Sequence, residues 1–314
     1  VTAASIAGIG SAIPEARLTN AELEARLDTS DEWIVARTGI HERRVASPSE
    51  TSGTLAVEAS AAAIKDAGLV PDDVNLLVVA TTTPDQALPQ TSALVHEGLG
   101  LRCGAFDVSA ACAGFVHALV VGATLLDTGG LDAVVVVGSE TLTRIVDPDD
   151  RATVPLFGDG AAAVVLRPAT PGYGLQSWDL GCDGSASGIL AIPPGERFIR
   201  MEGQEVFRRA VRAVVASANN ALHAAGCTAG DVDLFVPHQA NARIISMAGD
   251  RLGIPSERTM VNVDRYGNTS AASVPLALAE AADDGRLHDG DLVLLSGFGA
   301  GMTWATAILR WGGA

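Results

Sequence analysis

The chain has 314 residues, 48% of them hydrophobic and 18% charged, which excludes a disordered or charge-solvated polypeptide and leaves length for about two domains. Its 37 acidic residues outnumber 21 basic ones, for a net charge of -16, and the only lysine is Lys65. A duplex-binding surface needs clustered positive charge, so nucleic acid is excluded as the default partner, and any local basic patch must be built from arginine.

Taken in chain order, the opening segment VTAASIAGIG has no basic n-region, Arg17 being the first cation, and does not read as a signal peptide. No apolar run approaches the roughly 18 to 20 residues of a membrane span. A cytoplasmic protein without membrane contact is expected. Short apolar runs predict strands over Ser5–Ile9, Val74–Ala80, Ala105–Val108, Ala133–Val137 and Ala161–Leu166, then over Leu234–Val236, Thr259–Val263, Leu292–Leu295 and Thr303–Leu309. Helical patterns occupy Thr54–Asp66, Ala113–Leu126, Val206–Ala224, Ala240–Leu252 and Ala271–Ala282. Several strands are apolar throughout, as suits strands covered on both faces in a layered α/β fold.

The sequence repeats internally. KDAGLVPDDVNLLVVA, ending at Ala80, aligns without gaps to HAAGCTAGDVDLFVPH, ending at His238, and LDAVVVVG (Leu131–Gly138) aligns to GDLVLLSG (Gly290–Gly297). Between these blocks FDVSAAC, ending at Cys112, lies opposite VNVDRYGN, ending at Asn268. The pattern predicts two related halves, residues 1–168 and 169–314, joined through the Pro/Gly-rich stretches Pro168–Gly174 and Gly181–Gly195. The general sameness of α/β segments is the alternative.

Three polar residues stand out. Cys112 follows a strand and a small-residue turn and opens a helix, where the macrodipole and free N–H groups favour thiolate; a buried structural cysteine is the alternative. Cys103, Cys182 and Cys227 lack that context, and no pair forms a CxxC metal or redox motif. His238 ends an apolar run just before a helix, the place where α/β folds collect ligands, and its repeat partner is Ala80. Asn268 sits in a GNTS turn before a small-residue helix, where a simple cap is the alternative. The loop GFGAG (Gly297–Gly301) is either a plain turn or a source of N–H groups for an oxyanion. Cysteine, histidine and asparagine in this order admit a papain-like protease or a thiol acyltransferase, and the flank AACAGF lacks the protease surroundings.

The ordered set DEWIVARTGI, FDVSAACAGF, VPHQANARII, GNTSAAS and GFGAGMTW resembles β-ketoacyl-acyl-carrier-protein synthase III, the condensing enzyme that starts fatty-acid synthesis, from about Ser5 to Trp311. The resemblance implies a thiolase fold, α/β, with two duplicated βαβαβαββ halves in a five-layered αβαβα arrangement, and a homodimer. It implies that Cys112 takes the acyl group from an acyl-CoA, and that malonyl-acyl carrier protein then loses CO₂ and condenses with it. His238 and Asn268 would hold the enolate oxygen. The N–H groups of Cys112 and Ala300, the latter often glycine in the family, would hold the tetrahedral oxyanion.

By the same resemblance Trp33 and Arg151 would sandwich the adenine of CoA, with Thr29 and Arg37 at the nucleotide end and Gly203, Phe207 and Asn241 along the pantetheine channel. Leu142, Phe157 and Phe298 match acyl-pocket walls. Leu88 stands where an often aromatic residue reaches into the partner subunit, and its smaller branched side chain suggests a longer or branched primer. Arg208, Arg243 and Arg251 match positions that dock the acidic carrier, whereas Asp250 replaces a frequent basic residue. No metal and no bound cofactor are implied. A relative that primes polyketide or natural-product synthesis or transfers acyl groups to another nucleophile, with malonyl-CoA as an optional extender, is the enzymatic alternative, and a scaffold or acyl-CoA-binding protein the non-enzymatic one.

Overall fold

The computed structural model describes residues 4–128 and 130–314. Nine strands build two main sheets. The first holds β1 (Ala4–Ala12), β2 (Leu76–Ala80), β3 (Gly104–Val108), β4 (Val134–Thr141) and β5 (Asp159–Pro168), in the order β1-β5-β4-β2-β3. The second holds β6 (Gly174–Cys182), β7 (Leu234–Pro237), β8 (Leu292–Gly299) and β9 (Thr303–Arg310), in the order β7-β8-β9-β6. β2 runs parallel to β3 and β4, as β7 does to β8, and the other pairs are antiparallel.

Read from the outside inward, β6-β9-β8-β7 repeats β1-β5-β4-β2. The register repeats too: Leu76 faces Val134 in one half, and Leu234 faces Val293 in the other. The fifth place of the second sheet differs from the expected strand over Thr259–Val263. Only one bridge, Phe235 to Thr259, forms there, and a short helix begins at Val263. The buried Gln239 side chain explains the loss. It donates to the carbonyls of Pro237 and Met260 and accepts from the N–H groups of Asn262 and Val263, so it satisfies groups that a longer ladder would pair.

Three apolar clusters separate the layers. One, between the sheets, packs the helices Gly114–Asp127 and Ser273–Asp283 against Val78, Val136, Val236 and Leu295. A second lies outside the first sheet under Ser52–Asp66, and a third lies outside the second sheet under Gly203–Ala224 and Ala242–Leu252. The result is five layers, αβαβα. Covering β4 on both faces requires its unbroken valine run, and Val134–Val137 are all fully buried.

The stretch Gly181–Gly195, expected as part of a joint, instead begins inside β6, whose half-exposed pattern hides it from a search for apolar runs. The Pro/Gly-rich Pro168–Gly174 stretch does connect β5 of one sheet to β6 of the other. Among the described residues no helix is long and apolar enough to cross a membrane.

The halves interlock at two matched turns. Ala111 and Ser270 have φ of 49° and 48°, a left-handed conformation that is costly for non-glycine residues. Each lies in a 3-10 turn, Ala111–Ala113 or Ser270–Ala272, that leads into an inner helix. This matching corrects the sequence alignment: Cys112 lies opposite Ala271, and Asn268 precedes the turn by two residues. Gly138 of β4 and Gly297 of β8, equivalent by register, each pack beneath the turn of the other half. A Cβ on Gly138 would collide with the Ala271 carbonyl, and one on Gly297 would come within 3.0 Å of Ala113 Cα.

Candidate active site

Cys112 lies in the 3-10 turn just before the 14-residue helix Gly114–Asp127, rather than as its first residue. The strained Ala111 turns the thiol out of the β3 line into a cavity of about 690 Å³. Burial pushes the thiol up to about 12, against the pull of a hydrogen bond from the Ser270 hydroxyl; the neighbouring Glu140 raises it further. The helix start behind the sulfur favours negative charge developing there. Gly299, flat against Cys112, lets β8 end beside the thiol, since a Cβ there would strike the Cys112 nitrogen.

His238 is 1% exposed and follows β7 directly. Its N–H donates to the Ser296 carbonyl at 2.7 Å, and Phe298 meets the ring edge-on with centroids 5.1 Å apart. Nδ1 is buried without a partner, which leaves Nε2 as the nitrogen available to the cavity. Burial lowers the imidazole to about 3, so it is neutral, not a cation, at physiological pH. Asn268 is held by its own N–H on Leu156 O (2.7 Å) and by Gly158 N–H on its carbonyl (3.0 Å). Ser270 N–H donates to its Oδ1 at 2.8 Å, which directs the Nδ2 donors elsewhere. Cys112, His238 and Asn268 all line the same cavity.

The cavity runs from exposed Arg37 and half-buried Trp33 to these three residues, past Gly203, Phe207 and Asn241. Trp33 carries the guanidinium of Arg37 at 4.4 Å and that of Arg151 at 5.0 Å from its ring centroid. Arg151 also pairs with Asp28 at 2.9 Å. A base plane entering between Trp33 and Arg151 must therefore displace the arginine. The Asn241 amide is already engaged, donating to Arg37 O at 2.9 Å and accepting from Arg243 N at 2.8 Å as a helix cap. Thr29 does not line the cavity, and its buried hydroxyl has no partner.

Of the expected acyl-pocket walls, Phe157 and Phe298 line the cavity. Leu142 packs behind Phe157 in a core cluster, and Leu88 is 83% exposed and away from the cavity. Of the expected docking arginines, Arg243 lines the cavity and stacks on Phe207, Arg208 is clasped by Glu205, and Arg251 is exposed at a helix end. Sequence reasoning missed Leu190, Met201 and Met302, which also form the wall; the first two come from a region read as a joint or left unassigned. It missed Glu140 as well, although a carboxylate inside a strand covered on both faces is itself a signal.

A thiolase-fold protein with a cysteine, a histidine and an asparagine converging on one deep cavity falls in the acyltransferase class of condensing enzymes. The family profile for 3-oxoacyl-[acyl-carrier-protein (ACP)] synthase III matches residues 106–184, and the profile for its C-terminal part matches residues 222–311. The chain belongs to this family. It is 47% identical over 310 residues to β-ketoacyl-[acyl-carrier-protein] synthase III of Listeria innocua, covering 98% of this chain and 99% of that one. The enzyme of the same name from Geobacillus kaustophilus is 46% identical over 310 residues, with the same coverage. The crystal structure of the Thermus thermophilus synthase III superposes with a TM-score of 0.95 at 48% identity, covering 99% of this chain and all of that one (100%). The priming β-ketosynthase of the R1128 polyketide pathway superposes with a TM-score of 0.93 at 40% identity, covering 100% and 98%.

Proposed function

We propose that this enzyme joins an acyl-CoA primer to malonyl-acyl carrier protein through an acyl group carried on Cys112. The observation that carries the residue assignment is the convergence of Cys112, His238 and Asn268 on one cavity whose outer end is bracketed by Trp33 and two arginines.

In the first step the Cys112 sulfur attacks the thioester carbon. The N–H groups of Cys112 and Ala300 hold the oxyanion, the carbon–sulfur bond to CoA breaks, and the thiol proton ends on the CoA sulfur. Splitting the reaction at this acyl-enzyme replaces one difficult step by two easier ones. In the second step the malonyl group loses CO₂, and the electron pair moves into a thioester enolate. His238 Nε2–H and Asn268 Nδ2–H donate to its oxygen. The α-carbon then attacks the acyl-cysteine carbonyl, a carbon–carbon bond forms, and the Cys112 sulfur leaves and takes up one proton.

Two neutral donors suit this oxygen, because they stabilise charge that appears only in the transition state and cost no reorganisation then. The Trp33, Arg37 and Arg151 cluster serves the nucleotide end of CoA, and the carrier docks around Arg243, Arg208 and Arg251 despite the adverse net charge. The exposed Leu88 supports a homodimer in which this loop reaches the partner's pocket.

Step-resolved kinetics test the assignment. His238→Ala and Asn268→Ala are expected to keep acyl loading from acyl-CoA within a few-fold while slowing loss of CO₂ from malonyl-carrier by about 10² to 10³ each. Equal slowing of both steps contradicts the division of roles.

A further inference from the structure

Glu140, next to last in the strand β4, is fully buried and has no arginine or lysine among its hydrogen-bond partners in the described residues. Burial raises its carboxyl above the ordinary range, so holding it there is costly unless its oxygens are satisfied. They are. Oε2 accepts from Thr83 Oγ1 at 2.5 Å, Thr82 N at 3.0 Å and Thr81 Oγ1 at 3.2 Å. Oε1 accepts from Thr82 Oγ1 at 2.9 Å and, across the boundary between the halves, from Ala271 N at 3.4 Å.

The two halves solve the same packing problem differently at this position. By strand register Glu140 is the counterpart of Gly299, six residues beyond Val134 and Val293 respectively. Gly299 lies bare against the Cys112 turn, whereas Glu140 extends a carboxylate to the Ser270 turn. That turn is left-handed at Ser270, with φ of 48°, and its N–H orients the amide of Asn268. A strained turn persists only where its surroundings fix it.

We propose that Glu140 is a positioning residue for the carbon-forming step: its bond to the Ala271 N–H fixes the turn whose Ser270 N–H aims the Asn268 amide at the enolate oxygen. This inference rests on the reading of Asn268 as an enolate donor. A misaimed donor does little for loading, which uses the N–H groups of Cys112 and Ala300 instead. Its effect is therefore selective and depends on Asn268.

The test is a double-mutant cycle of Glu140→Gln with Asn268→Ala, read separately for acyl loading by intact mass and for CO₂ release from malonyl-carrier. Glu140→Gln alone is expected to leave loading within about threefold and to slow CO₂ release at least about thirtyfold. In the Asn268→Ala background it is expected to cost less than about twofold further, because the amide it positions is gone. Multiplicative losses in the double variant, or equal slowing of both steps, overturn the proposal and make Glu140 a structural support only. If Asn268→Ala by itself leaves CO₂ release unchanged, the reading of Asn268 fails instead. Should Glu140→Gln not fold, Glu140→Asp replaces it. Its shorter carboxylate keeps the threonine bonds but falls short of Ala271, and the same selective loss is expected.

Discussion

Burial gives His238 two consequences, one for chemistry and one for stability. Held near 3, the ring stays neutral throughout the working range, as the proposed enolate donor must be. The unfolded chain binds this proton near the ordinary value of about 6.5, so it binds more protons than the folded chain between those limits. Stability from this group is therefore complete above pH 6.5 and is lost as pH falls toward 3. Urea unfolding of wild type and His238→Asn between pH 7 and 5 checks the sign. Wild type is expected to lose stability more steeply on acidification, by up to about 1.4 kcal/mol per pH unit for one extra proton. Coincident slopes would show that the imidazole titrates normally. Cys112 presents the converse problem: burial leaves it a thiol, so the acyl transfer proposed for it would depend on the helix start and the bound substrate.

At the scale of elements, the two glycines beneath the matched turns set how closely the halves approach. Gly138→Ala drives a methyl group into the Ala271 carbonyl, where backbone must move. Chemical denaturation is expected to show a loss of at least about 2 kcal/mol, in the range of overpacked cores; a loss below about 0.5 kcal/mol would mean that the turns are not tightly interlocked. These elements also mark what the sequence discloses. The strands β2, β4 and β8 are legible because cover on both faces demands unbroken apolar runs. β6 is not legible, because exposed Gln176 and Trp178 alternate with the buried but polar Ser177, so no apolar run forms. The strand expected over Thr259–Val263 fails because a side chain 20 residues earlier, Gln239, takes the backbone groups of that segment. Cys112 and Asn268 stand out from local context, and His238 also from the repeat, where its partner is Ala80. The pairing of Cys112 with Ala271 is not legible, since it depends on the left-handed residues Ala111 and Ser270, which carry no compositional mark.

For the whole molecule, duplication supplies the scaffold, and asymmetry between the copies supplies the site. Equivalent positions carry Ala80 and His238, Cys112 and Ala271, Glu140 and Gly299, and the cavity draws Cys112 from one half and His238 from the other. The net charge of -16 would oppose an acidic carrier at long range, so the docking proposed above would rest on local arginines. Arg208 is partly neutralised by Glu205, leaving Arg243 and the exposed Arg251 as the freer charges. The most direct measurement is the intact mass of wild type and Cys112→Ala after mixing with acyl-CoAs of graded length and branching, followed by malonyl-acyl carrier protein. Wild type is expected to gain one acyl group from its preferred primer and to lose it on addition of the malonyl-carrier, with a 3-ketoacyl carrier appearing, while Cys112→Ala gains none. No adduct on wild type with any primer, or the same adduct on Cys112→Ala, would contradict acyl transfer through this thiol.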